Sequence, residues 1–287
     1  MKPTDLRLWV MLGLSVTANL TLAADAPPAA ETPSNDPVMA MIKTDRDAGE
    51  VVTLIQQDPS AWAVSLNGNR TPTHGTVILI HDLGGHADAP RVMASLRRQL
   101  HAAGWSTLSV TVPKLRDRQL AGTAEELFKS SQTVIDAAIT KARGQNPATL
   151  ALVGYGLGAI VAAHYLANKA NHGIAGLVAI ATPVDKTPFP ELFIPDYLKK
   201  ITIPVLDIFG QNDDARVVAT AAERAQAAAS ARPPTTAKSK PDALVGYRQY
   251  AILGADHEFT GMDELLGKRI STWLRRYLSG VATKKTP

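Results

Sequence analysis

Four short clusters in this chain join residues that can do chemistry to glycines that let backbones approach closely. They are His81-Asp82-Leu83-Gly84-Gly85, Gly154-Tyr155-Gly156-Leu157-Gly158-Ala159, Gly210-Gln211-Asn212-Asp213 and Gly254-Ala255-Asp256-His257. A carboxylate beside an imidazole orients the ring, fixes its tautomer and favours its charged form. Asp213 and His257 are the candidates for such a pair. Asp214 is a rival acid, although Asp213 fits the spacing from Gly210 better. Asn212-Asp213-Asp214 is also good turn chemistry, and His257 can equally cap the last helix.

The elements that must position these clusters are short and apolar. The runs Val77–Ile80, Thr107–Val112, Leu150–Val153, Leu177–Ala181, Val205–Phe209 and Tyr250–Leu253 are nearly continuous. Parallel strands covered on both faces require that pattern. Between them lie helical stripes, among them Val92, Leu96 and Leu100, then Leu127, Ile135, Ala138 and Ala142. The final helix carries Leu266, Ile270, Trp273 and Tyr277 on one face. Ahead of them Val51–Ile55 and Trp62–Leu66, joined across Asp58-Pro59-Ser60, read as an antiparallel pair. The expected fold is α/β, with a mostly parallel sheet of about eight strands and helices on both faces. In such sheets chemistry sits beyond the carboxyl ends of the strands, where all four clusters fall.

Their order resembles that of the α/β-hydrolase superfamily, and most of all an exported bacterial branch with no assigned activity. The resemblance implies an oxyanion loop at His81, Asp82, Gly84 and Gly85, with His81 bracing the loop. It implies a nucleophile elbow at Gly154–Gly158, an acid at Asp213 and a histidine at His257. The backbone amides of Leu83 and Leu157 would form the oxyanion-type site. A minimal lid would lie between Thr182 and Ile203, where Phe189, Phe193 and Tyr197 stand; surface packing explains the same aromatics.

The chain departs from that pattern twice. Gly156 stands where the superfamily has its nucleophile, and glycine cannot attack a carbonyl. Asp82 stands where the superfamily usually has glycine. A carboxylate there disfavours developing negative charge unless it points away or is paired. Loss of the nucleophile favours a non-hydrolytic ligand-binding or scaffold protein, with a small molecule or protein as partner. The alternative is a serine-independent hydrolase of activated esters or lactones, using His257, Asp213 and a water. A serine introduced at position 156 is expected to meet a waiting His257, and a folded but unreactive variant would favour the scaffold reading. A third reading takes Gly154-x-Gly156-x-x-Ala159 as a dinucleotide fingerprint. Its context is poor: two core strands precede it, and the next strand ends Ala179-Ile180-Ala181-Thr182 without the acid that should meet a ribose. His81, Asp82, His86, Asp213 and His257 match no short metal-ligand spacing, so neither metal nor cofactor is expected.

Of the 287 residues, 45% are hydrophobic and 20% charged, enough for a large core and too few charges for a disordered chain. The four basic pairs are scattered, and without an aromatic-lined basic stripe no nucleic-acid partner is expected. Lys2, Arg7 and the apolar stretch Leu8–Leu22 read as a signal peptide over 1–23, with small residues at Thr21, Ala23 and Ala24 for cleavage. The stretch is interrupted by Ser15, Thr17, Asn19 and Thr21 and is short for a ~20-residue span, so no permanent membrane anchor is expected. A flexible leader follows over 24–45, then a single domain over 46–280 and a tail over 281–287. The chain has no cysteine, which suits a periplasmic or secreted protein that manages without disulfides. Sequencing the mature N-terminus from fractionated cells should find a start near residue 24. A cytoplasmic product that still begins at Met1 would sink the export reading.

Overall fold

Strands buried on both faces need two helical layers, and alternate residues of the same strand feed them. In a computed structural model of the chain, residues 37–45, 49–56, 61–66, 74–82, 84–112, 123–185, 189–231 and 246–278 are described. Eight strands form one sheet: β1 (Glu50–Ile55), β2 (Ala61–Leu66), β3 (Thr76–Ile80), β4 (Ser106–Val110), β5 (Leu150–Tyr155), β6 (Gly176–Ile180), β7 (Val205–Gly210) and β8 (Tyr247–Ile252). Their spatial order is β1-β2-β4-β3-β5-β6-β7-β8. β2 pairs antiparallel with β1 and β4, and every other pairing is parallel.

Ile78, Ile80, Leu150 and Leu152 pack into one core, with α3 (Thr123–Arg143), α4 (Leu157–Asn168), α5 (Ile194–Leu198) and α7 (Ala221–Ser230). Val77, Leu79, Ala151 and Val153 enter the other, against α2 (Val92–Ala102) and α8 (Asp263–Leu278). Each fully buried Leu, Ile or Val contributes roughly 1.5–3 kcal/mol, so the continuous apolar runs hold both layers at once.

The strand register brings the four clusters together. Ile80 lies opposite Gly154, Tyr155 opposite Ile180, Ile180 opposite Ile208 and Gly210 opposite Ile252. The loops leaving β3, β5, β7 and β8 therefore emerge on one edge. A buried network clamps the last two strands. The Asp207 carboxylate on β7 accepts from Arg224 Nε at 2.7 Å, Tyr247 OH at 2.5 Å and Gln249 Nε2 at 2.8 Å.

Two expectations need correction. Of the leader expected over 24–45, residues 24–36 lie outside the described residues, while Pro37–Thr44 form α1, whose Ile42 is buried with Trp62, Val64 and Ala87. The last strand begins at Tyr247 rather than Tyr250, and Leu253 lies outside it, 77% exposed. β8 is an edge strand with one open face, so it mixes Arg248 and Gln249 with apolar residues and breaks the pattern of doubly covered strands. Among the described residues, the segment between Thr182 and Ile203, where a minimal lid was expected, has a short turn at Pro190–Leu192 and one helix, α5. Its Phe193 is buried in the first core, and Tyr197 packs edge-on to Phe128 and His164, so packing accounts for these aromatics. The 1–23 signal peptide, the 281–287 tail, Leu83 and the Asp58-Pro59-Ser60 turn lie outside the described residues.

Candidate active site

The turn from β5 into α4 passes through Gly156, with φ 55° and ψ −120°. That left-handed backbone is open to glycine and costs other residues on the order of 1–3 kcal/mol. Gly158 permits the second constraint: a Cβ there would run into the backbone carbonyls of Ile80 and His81, so α4 can press its first turn against the end of β3. The first residue of α4, Leu157, thereby presents an N–H with no partner inside the helix.

Asp82 supplies that partner. Its loop is pinned by His81, which is buried. The Val112 N–H donates to His81 Nε2 at 3.2 Å, so the ring proton sits on Nδ1 and is donated to the Asp82 carbonyl at 2.7 Å. The Gly85 N–H donates to the same carbonyl at 3.0 Å. With its backbone held, Asp82 projects its carboxylate over the elbow. Leu157 N–H donates to Asp82 Oδ1 at 2.6 Å. A Cβ built on Gly156 would fall inside the Asp82 carboxylate group. The side chain absent at 156 and the side chain present at 82 contest one volume. Asp82 is thus paired, which is one of the two conditions under which a carboxylate is tolerated there. The anion that the Leu157 amide holds belongs to the chain itself.

His257 completes the arrangement. Asn212 N–H donates to the Ala255 carbonyl at 2.8 Å and Gln211 N–H to that of Ile252 at 2.9 Å, stitching the loops after β7 and β8 together. His257 Nδ1 then lies 2.6 Å from Asp213 Oδ1, and Nε2 lies 3.5 Å from Asp82 Oδ2. The Asp213 side chain is fully buried, while those of Asp82 and His257 are 28% and 36% exposed. Asp214 goes elsewhere, capping α6 (Ala215–Val218) through Arg216 N–H at 2.8 Å and pairing with the Arg216 guanidinium. The hydrogen bond to Asp213, then the Asp82 carboxylate, raises the His257 pKa to about 10 against the opposing effect of burial. At neutral pH the ring is an imidazolium between two carboxylates.

Sequence reasoning missed the surroundings of this trio. The Tyr155 ring lies 5.3 Å from the imidazole, and its hydroxyl donates to the His257 carbonyl at 3.3 Å. Burial, with Asp82, Asp213 and Asp256 nearby, raises the Tyr155 pKa far above its usual value. Arg91 pairs with Glu258, next to His257. Five described non-glycine residues have positive φ; two are asparagines, which take that region readily, and the other three are Arg91, Ala181 and Phe259. All three flank the site, where such strain tends to collect. No motif announces them, because each conformation is imposed by tertiary packing. The described residues hold no group of three metal-ligating side chains suited to an ion.

A proton NMR titration of His257 should give a midpoint near 10 in place of ~6.5, and Asp213→Asn should lower it more than Asp82→Asn does. Identical midpoints in all three proteins would show that the pairs do not form. Stability follows the same sign. The raised pKa makes the contribution fully present below ~6.5 and lost as pH rises towards 10. The gap in melting temperature between wild type and His257→Gln should therefore be widest near pH 6 and should close across that window.

Several solved structures share the fold. Est1E from Butyrivibrio proteoclasticus superposes with a TM-score of 0.60 at 14% identity, over 79% of this chain and 98% of that one. A dienelactone hydrolase from Anabaena variabilis gives 0.62 at 19% identity, over 80% and 97%. The Pyrococcus furiosus esterase Pf2001 gives 0.59 at 16% identity, over 80% and 91%. At these identities the likeness is one of fold, and the fold is that of the α/β-hydrolases. No curated protein matches the sequence. A family model described as "Protein of unknown function (DUF3530)" matches residues 6–133 and 121–276. With both core layers and all four loop clusters inside those matches, the chain belongs to the DUF3530 family.

Proposed function

We propose that this chain is an exported, non-hydrolytic ligand-binding or scaffold protein that uses the α/β-hydrolase fold without serine chemistry. One observation carries the reading: the Asp82 carboxylate fills the space over Gly156 and occupies the Leu157 amide. Serine hydrolysis needs a hydroxyl at the elbow and a free amide for the oxyanion, and here a carboxylate stands in the way of both. The charge state of His257 supports the same reading. A ring with its pKa raised to about 10 holds a proton at neutral pH and is a poor base towards water.

That proton also weighs against a serine-independent hydrolase of esters or lactones, although the 2.6 Å Asp213–His257 bond gives such a reading its orienting pair. A dinucleotide fares worse, because its pyrophosphate would meet the Asp82 carboxylate at the start of α4. Export rests on the pattern of Lys2, Arg7 and Leu8–Leu22. Among the described residues no helix is long and apolar enough to cross a membrane.

The expectation that serine at 156 meets a waiting histidine changes once Asp82 is in place. Gly156→Ser alone should remain unreactive towards a fluorophosphonate and lose on the order of 1–3 kcal/mol, because the new side chain collides with Asp82 and strains the turn. Gly156→Ser combined with Asp82→Gly clears the space, and that protein should label at position 156. Adding His257→Ala should suppress the labelling. Stoichiometric labelling of the wild type, on a serine and dependent on His257, would overturn the reading.

A further inference from the structure

The carboxylate over the elbow is held by one oxygen only. Asp82 Oδ1 takes the Leu157 N–H at 2.6 Å, while Oδ2 faces His257 Nε2 at 3.5 Å, too far for a strong hydrogen bond. Both side chains reach solvent, at 28% and 36% exposure. His257 Nδ1 is committed to Asp213 at 2.6 Å, so the proton that can leave the ring is the one on Nε2, beside Oδ2. A nucleophilic oxygen and a transferable proton thus share one opening. The buried carboxylates differ. Asp88 and Asp207 are paired with Arg97 and Arg224, whose guanidinium groups do not give up protons.

A carboxylate beside a proton donor suits electrophiles whose departing oxygen needs a proton, and the epoxide is the simplest of them. Its strained ring is opened by attack at carbon, and the departing oxygen stays in the molecule and needs a proton. We propose that Asp82 opens epoxides with His257 as its acid and retains the product as a covalent ester, which makes the site a covalent ligand trap. The proposal rests on the non-hydrolytic reading above, since a hydrolytic site would release what it captured.

The step balances without any co-reactant. Asp82 Oδ2 forms a bond to the less hindered ring carbon, and the carbon–oxygen bond of the ring breaks. The electron pair left on that oxygen takes the proton from His257 Nε2. The products are a 2-hydroxyalkyl ester of Asp82 and a neutral His257 still bonded to Asp213 through Nδ1. The ester carbonyl is Oδ1, already on the Leu157 amide, so nothing large has to move. Carboxylates act as covalent nucleophiles elsewhere when they are oriented in this way.

The absence of cysteine removes the usual competitor for such reagents and makes the test direct. The full chain is incubated with phenyl glycidyl ether near neutral pH, quenched, and read by intact mass and peptide mapping. The expected result is one adduct with the whole mass of the epoxide, on the peptide containing Asp82, removable by hydroxylamine as an ester must be. Asp82→Asn should give no adduct. His257→Gln should slow addition about 100-fold, the scale of a lost general acid. With benzyl bromide, whose leaving bromide needs no proton, the loss in the same variant should be smaller than with the epoxide.

Adduct spread evenly over surface carboxylates, wild-type labelling of Asp82→Asn, or no effect of His257→Gln on the epoxide would overturn the proposal. Peptide mapping of the wild type decides the site even if a variant fails to fold. Release of the diol with turnover, after an Asp82 ester has been caught, would overturn the non-hydrolytic reading and leave Asp82 as the nucleophile. Labelling of a wild-type serine by a fluorophosphonate would overturn the non-serine reading independently of either epoxide result.

Discussion

Two groups cannot occupy one volume, and in this molecule that rule organises the site. The space above Gly156 is filled by a carboxylate that arrives from a different strand, 74 positions earlier in the chain. Everything around it follows from accommodating that charge. The α4 amide turns towards Asp82, His257 is charged between Asp82 and Asp213, and the Asp82 backbone is fixed by His81 and Gly85. Remove the carboxylate and the imidazolium loses its outer counterion while the Leu157 N–H loses its partner. The three contacts are therefore coupled rather than additive.

The fold's part is to make that coupling possible. Asp82, Leu157, Asp213 and His257 come from four loops, and only the finished sheet brings them together. Parallel register aligns the ends of β3, β5, β7 and β8. The buried Asp207 network then locks β7 to β8, the strands that carry Asp213 and His257. Buried ion pairs are weak evidence of net stability, but breaking one leaves a charge stranded, so they serve well as devices that fix one arrangement.

Much of this was legible in the sequence, for physical reasons that differ from element to element. The apolar runs mark strands because burial on both faces leaves little room for polar residues other than paired ones such as Asp207. β8 escaped at its start because it is an edge strand, and α1 escaped because Ile42 is one buried residue on a short helix beside a polar leader. Spacing from Gly210 favoured Asp213 over Asp214 without deciding between them, since adjacent carboxylates differ only in where a turn aims them. Asp82 was visible as an oddity, and so was Gly156. What the sequence does not display is that the two oddities are one. A side chain lost at one position and gained at another suggests compensation only when a known backbone places both in the same space. Here that backbone is set by His81 and by the close approach at Gly158.

The shared volume over the elbow also constrains how such a chain can change over generations. A serine at 156 alone collides with Asp82, and a glycine at 82 alone leaves a vacant hole beside a histidine that has lost an anion. Either single step passes through a damaged protein, so moving between this arrangement and one with an elbow side chain requires two substitutions to appear almost together. The two positions should therefore be non-additive, with the double change costing less than the two single costs summed.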